Sequence, residues 1–199
     1  MGEMAGERSR LRQHMDRDVA ERAGEFLELG AVAHVGFCVD GQPYVIPMSY
    51  QYSQAHPEKL YLHGGRPSRL LRTLCEGGLV CVTVTMVDGL VYSKSAMYHS
   101  MNYRSVVAFG RGREVIDSRQ KAALLDAMIA RYHSGRSVGV DYEAATVAQL
   151  ESTLVVEIAI EEMSAKARFG GPAGPKDADE TAQGSCGVVQ WPDGLHGPR

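Results

Sequence analysis

Apolar and polar residues alternate with a two-residue period through much of the chain, which predicts half-buried strands. The first such run, AVAHVGFCV at 31 to 39, is followed by Asp40-Gly41 and by QPYVIPMSYQY at 42 to 52. Both residues of an Asp-Gly pair tolerate positive φ, so the pair predicts a two-residue hairpin and makes the two strands antiparallel neighbours. Pro43 and Pro47 have no N–H to give to a ladder, which puts the second strand on an edge or at a bulge and leaves backbone groups free for a ligand. KLYLHGG at 59 to 65 predicts a third strand. It hands over through Gly64, Gly65 and Arg66 to a helix with Pro67 at its first position and Leu70, Leu71 and Leu74 on its buried face. LVCVTVTM and LVYSK predict two more strands joined by a tight hairpin at Val87-Asp88-Gly89. A long strand over roughly 102 to 116 and STLVVEIAI complete the set.

The helical period is confined to short segments. Residues 16 to 29 put Val19, Ala23, Phe26 and Leu27 on one face, with Asp16 as cap and Gly30 as stop. Asp117 and Gln120 form a capping-box-like pair before a helix that buries Leu124, Leu125, Met128, Ile129 and Tyr132. A short helix is expected near 143 to 150. Many strands and few helices imply a mainly β fold, a small antiparallel β-barrel with flanking helices, rather than βαβ units around a parallel sheet. The expected organisation is an N-terminal arm at 1–15, a barrel domain at 16–169, and a flexible linker with a docking tail at 170–199. The linker GGPAGPKDADETAQGS lacks bulky apolar residues, and the island CGVVQW beyond it carries Trp191, the one tryptophan.

Charge changes little in this picture but removes some functions. A net charge of -3 with 23% charged residues is not that of a phosphate-neutralising surface, so nucleic acid is not an expected partner. The opening MGEMAGERSR has no apolar stretch, and no run is long enough to span a bilayer; a cytoplasmic protein without membrane contact is expected. Cys38, Cys75, Cys81 and Cys186 form no Cys-x-x-Cys pair and no zinc spacing, so no metal site is expected, and Cys38 and Cys81 are expected to pack as small buried hydrophobes. His34, on an apolar run, is expected to be a core histidine. The phosphate-loop, zinc-protease and serine-hydrolase motifs are missing.

Candidate chemistry gathers in three stretches. LHGGRPSRLL sets His63 at a strand end, with Ser68 and Arg69 in the first turn of a helix, where an anion could be held. PYVIPMSYQ turns Val45, Pro47 and Ser49 to one side and Ile46, Met48 and Tyr50 to the other, a surface on which a flat ring could lie. YHSMNYRSVVAFG begins polar and turns apolar, with Tyr103, Arg104 and Ser105 at the change.

Together, GQPYVIPMSYQY, LYLHGGRPSRLL and VTVTMVDGLVYSKSAMYHSMNYRSVVAFGRGREV, followed by the helix with Lys121 and Leu124, resemble the FMN-binding split barrels related to pyridoxamine 5'-phosphate oxidase. Within that family the resemblance is to the nitroimidazole-resistance (nim-type) reductase branch. It implies a six-stranded antiparallel split barrel, a homodimer, and FMN in a groove between the subunits. Ile46, Pro47, Met48 and Ser49 would then flank the isoalloxazine, and Ser68 with Arg69 would hold the phosphate. Gly64 and His63 would approach the cofactor, His63 matching the functional histidine of the nim-type proteins. Tyr103, Arg104 and Ser105 would border the same groove, and Trp191 would either anchor the tail or cover the flavin. The tail VVQWPDGLHGPR places Trp191, His196 and Arg199 without the spacing of a true pyridoxamine phosphate oxidase, which argues against that substrate.

The activity implied is an FMN-dependent oxidoreductase that takes a small-molecule electron donor and acceptor, the acceptor a nitroaromatic or quinone-like compound. FAD or the deazaflavin F420 fills similar grooves in relatives. The alternative from another class is a flavin- or haem-binding carrier or sensor without turnover, with His63 or His99 as axial ligand.

Overall fold

The computed structural model describes residues 6–191, so His196 and Arg199 lie outside the described residues. Eight strands form one antiparallel sheet: β1 (Ala33–Val39), β2 (Gln42–Met48), β3 (Gln51–Tyr52), β4 (Lys59–Gly65), β5 (Leu79–Tyr92), β6 (Ser100–Glu114), β7 (Thr153–Arg168) and β8 (Gly187–Gln190). They run in the order β2-β1-β5-β6-β7-β4-β3, with β8 beside β5. Six are long, as a split barrel requires; the additional two are the two-residue β3 and the tail strand β8. Val35, Leu60, Leu62, Val82, Val106, Val156 and Ile158 come from five strands yet share one core with Phe26, Leu27, Leu70, Leu71 and Leu74. The flanking helices α1 (Ala23–Leu29) and α2 (Arg69–Cys75) contribute those last five and close the split barrel.

The Asp40-Gly41 hairpin forms as the sequence predicts, with φ of 51° and 79° and Val39 paired to Gln42. β2 is the edge strand that Pro43 and Pro47 demand. Val87-Asp88-Gly89, in contrast, makes no hairpin. β5 runs unbroken past it, and the register against β6 shifts between Val87 and Gly89. Asp88 is the extra residue of a β-bulge, held by Arg104 across the ladder at 2.9 Å from Nε and 2.5 Å from Nη2. The Asp-Gly pair here bends a strand instead of reversing it.

Tertiary pairing also overrides the helical period at 16 to 29. Two single 3-10 turns, Met15–Arg17 and Ala20–Arg22, precede α1, because the Val19 N–H donates to the Ala165 carbonyl at 3.1 Å and Asp18 bridges Lys166. Asp16 therefore lies inside a turn rather than capping a helix, whereas Gly30 ends α1 as expected. The start of α2 falls two residues later than predicted: Ser68 is the cap, its Oγ accepting the Leu71 N–H at 3.3 Å, and Pro67 precedes it.

His34 and Cys38 correct another expectation. β1 covers only one face, with Ala33, Val35 and Phe37 inward, so His34 and Cys38 are exposed; Cys81 is half-buried. The helix α3 (Ser118–Tyr132) starts on Asp117, whose carboxylate accepts the Gln120 N–H at 2.7 Å. Only Lys121 and Met128 of α3 are fully buried, because its remaining apolar face borders open space. The helix α4 (Val147–Ser152) opens on a capping box between Thr146 and Gln149. Residues 170 to 186 fold back along β5, where Asp177 accepts from the Lys94 N–H at 2.7 Å and the Ser93 hydroxyl at 2.9 Å, and β8 then pairs Gly187 with Tyr92. Among the described residues no helix is long and apolar enough to cross a membrane.

Candidate functional site

β4 presents alternate residues to opposite sides. Leu60 and Leu62 enter the core with no exposure, while Lys59, Tyr61 and His63 face outward beneath α3. A cavity of about 860 Å³ opens at the His63 end of this row, between Ser49 at the end of β2 and the wall made by Met128, Ile129 and Tyr132 of α3. Tyr142, Gln149 and Thr153 also line it, and Asp126, His133 and Glu143 add charged or polar groups to the lining.

Its walls are pinned by hydrogen bonds that the sequence did not reveal. The Tyr132 hydroxyl accepts the Tyr50 N–H at 3.0 Å and donates toward the Ala31 carbonyl at 2.9 Å. Arg131 Nη2 donates to the carbonyls of Leu27 at 2.8 Å and Gly30 at 2.7 Å, satisfying the C-terminal end of α1, and its guanidinium lies 4.6 Å from the centre of the Tyr50 ring. Tyr50, fully buried, donates to the same Leu27 carbonyl at 2.6 Å, and burial pushes its phenol pKa well up. The end of α3 is thus tied to Tyr50, just beyond β2, and to the end of α1.

His63 itself is free of such ties. Its buried Nδ1 has no hydrogen-bond partner, and burial holds its pKa below the ordinary value, because the charged form is penalised. The neutral imidazole is thereby favoured over the charged one. Gly64 follows it where a Cβ would stand 3.0 Å from Leu71 Cδ1 and 4.0 Å from Met48 Cε, so β4 and β2 come close at this point.

The β2 residues of the site sit as the alternation predicts: Ile46 and Met48 pack toward the core, and Pro47 and Ser49 are exposed on the open edge. Arg69 leans onto this edge, its guanidinium 3.9 Å from the centre of the Tyr44 ring, and it has no carboxylate partner among the described residues. Ser68 stands beside it, with its hydroxyl committed to capping α2. Ile46, Pro47, Met48, Ser49, His63, Gly64, Ser68 and Arg69 therefore gather along one side of the barrel.

Tyr103, Arg104, Ser105 and Trp191 gather elsewhere. Tyr103, Arg104 and Ser105 pair with Val87, Met86 and Thr85, and within one chain β1 and β5 separate them from β2. Arg104 is held by Asp88, Ser105 Oγ donates to the Lys166 carbonyl at 3.3 Å, and the Trp191 N–H donates to the Asp88 carbonyl at 3.1 Å. His99 is exposed, edge-on to Tyr92, and does not line the His63 cavity. Among the described residues no group of His, Cys, Asp and Glu is arranged to hold a bare metal ion.

The chain is thus a split β-barrel with an open β2 edge and, beside His63, a cavity of a size that suits a small molecule. Within it, the family model described as pyridoxamine 5'-phosphate oxidase matches residues 20–167, and the chain belongs to that family. Among solved structures it is similar to the FAD and haem binding protein from Mycobacterium smegmatis, at 31% identity and a TM-score of 0.77, over 87% of this chain and 83% of that one. It is similar also to the flavocytochrome Anf3 from Azotobacter vinelandii, at 27% identity and a TM-score of 0.79, over 95% and 86% of the two chains. A candidate 5-nitroimidazole antibiotic resistance protein from Bacteroides thetaiotaomicron, at 23% identity and a TM-score of 0.60 over 74% and 83%, shares the fold. No curated protein matches the chain.

Proposed function

We propose that this chain is a flavin-binding redox protein that also takes a haem, with His63 as an axial ligand of the haem iron. One observation carries the haem: His63, an imidazole whose charged form burial disfavours, lines a cavity of about 860 Å³. Neutral imidazole is the ligating form. The names of the 31% and 27% identical relatives, a FAD and haem binding protein and a flavocytochrome, support the same pair of cofactors.

The flavin would lie along the open β2 edge, against Ile46, Pro47, Met48 and Ser49, with the unpaired Arg69 on its phosphate. The name of the 31% identical relative favours FAD over the FMN that the sequence suggests. Bound flavin and haem would supply two-electron acceptance and single-electron transfer. Met128 and Ile129 would exclude water above His63, and the Tyr132 and Arg131 bonds would hold that wall in place. A cytoplasmic homodimer, in which Tyr103, Arg104, Ser105 and Trp191 of a second copy approach the flavin, belongs to the same proposal. Reduction of a nitroaromatic or quinone-like acceptor by a small-molecule donor is a second reading, favoured by the solvent-open β2 edge, and it requires the flavin alone.

Haemin titration of the full chain tests the first reading. A Soret band that saturates at one haem per chain and fails to form with His63→Ala supports it; an identical band with His63→Ala contradicts it. For the flavin, Arg69→Ala should weaken FAD and FMN much more than riboflavin, and equal weakening would reject the phosphate role.

A further inference from the structure

Arg69, the first residue of α2, is exposed, and among the described residues its guanidinium has neither a carboxylate partner nor a hydrogen bond. What it touches is an aromatic ring: the guanidinium carbon lies 3.9 Å from the centre of the Tyr44 ring. That ring is itself held. Tyr44 pairs with Phe37 across the β1–β2 ladder, and the two rings stack with centres 5.4 Å and planes 27° apart. Phe37 is 4% exposed, and Tyr44 packs half-buried against the same core. Phe37, Tyr44 and Arg69 therefore form one stack that runs from the core to the surface at the start of α2.

Granted the phosphate role proposed for Arg69, on which this rests, we propose that Tyr44 is the positioning residue that sets its guanidinium for the flavin phosphate. A guanidinium carries its N–H groups in its own plane and is weakly hydrated on its faces, so an aromatic ring and a phosphate can use it at the same time. A carboxylate partner would occupy the very N–H groups that a phosphate needs, whereas the Tyr44 ring leaves them free. Arginine is rich in rotamers, and restraining it before the ligand arrives lowers the conformational entropy lost on binding. The restraint acts through the ring, since the Tyr44 hydroxyl makes no hydrogen bond among the described residues. Another aromatic residue at this position can therefore do the same work, and an aliphatic one cannot.

The ratio of FMN to riboflavin affinity, measured by flavin fluorescence on the full chain, isolates the phosphate from the ring system. Tyr44→Leu should lower this ratio about two- to fivefold, the size of an exposed cation–π contact, while Tyr44→Phe and Tyr44→Trp should keep it. Tyr44→Thr takes the place of Tyr44→Leu if the latter does not fold, since threonine suits an edge strand. In an Arg69→Ala background, Tyr44→Leu should change the ratio no further. Three results would each overturn the positioning role: a ratio that Arg69→Ala lowers but Tyr44→Leu does not, a ratio lowered as much by Tyr44→Phe or Tyr44→Trp as by Tyr44→Leu, or an equal effect of Tyr44→Leu with and without Arg69. A ratio that Arg69→Ala leaves at the wild-type value would instead remove the phosphate reading itself, so the two failures are distinguishable.

Discussion

At the scale of single residues, His63 and Asp88 show what one-dimensional information carries. A histidine at a strand end beside two glycines was legible as a candidate from type and position alone. Its unpartnered Nδ1 was not, because that depends on what β7 and α3 fail to offer it. Its depressed pKa gives a signed prediction. Folding disfavours protonation of His63, so below the ordinary value of 6.5 the unfolded chain binds more protons, and apo-protein stability falls as pH drops through that value. Urea denaturation of the apo-protein should show His63→Gln with a shallower acid-side loss; an unchanged slope would mean that the imidazole titrates alike in both states. Asp88 read as a turn residue, and its partner sixteen positions on could not be seen. Removing it leaves Arg104 less than a quarter exposed and unpaired, so Asp88→Ala should cost about 1.5–3 kcal/mol by chemical denaturation.

Elements tell the same story through their surroundings. The Asp40-Gly41 hairpin and the edge position of β2 followed from backbone chemistry that needs no tertiary context. The apolar face of α3 was legible as a face but not as a cavity wall, since Met128, Ile129 and Tyr132 have the same spacing whether they meet a core or a cofactor. The break at 18 to 19 was invisible because β7, which captures Val19, lies far away in sequence. The tail strand β8 gives a prediction at this scale. Burial works against the Asp177 carboxylate, but the N–H groups of Lys94 and Gly174 and the Ser93 hydroxyl outweigh it and hold its pKa below the ordinary 3.8. Its contribution is therefore present above that value and is lost as pH falls through the lower folded pKa. Asp177→Asn should loosen the tail at neutral pH, read as a shift in the emission of Trp191; unchanged emission would show that β8 docks without this anchor.

For the whole molecule, the barrel leaves the outer faces of β1 and β2 without helical cover. His34 and Cys38 are exposed there, and Val45 is 65% exposed on an edge strand next to the proposed flavin. A homodimer that buries this face should be visible by sedimentation, with Val45→Lys shifting it toward monomer and weakening flavin together with it. A monomeric wild type that binds flavin tightly would reject the shared site. The fold was legible because the long strands are written in alternation and the edge position of β2 in its prolines, although the turn signal at Val87-Asp88-Gly89 split β5 in two. The cofactor set was less so, since a cavity between β4, α3 and α4 exists only after they pack. The most direct measurement is the absorbance spectrum of the full chain titrated with haemin and FAD, in the wild type and in His63→Ala. The account predicts a flavin band in both proteins and a Soret band in the wild type alone; a chain that binds neither cofactor, or whose Soret band survives loss of His63, would contradict it.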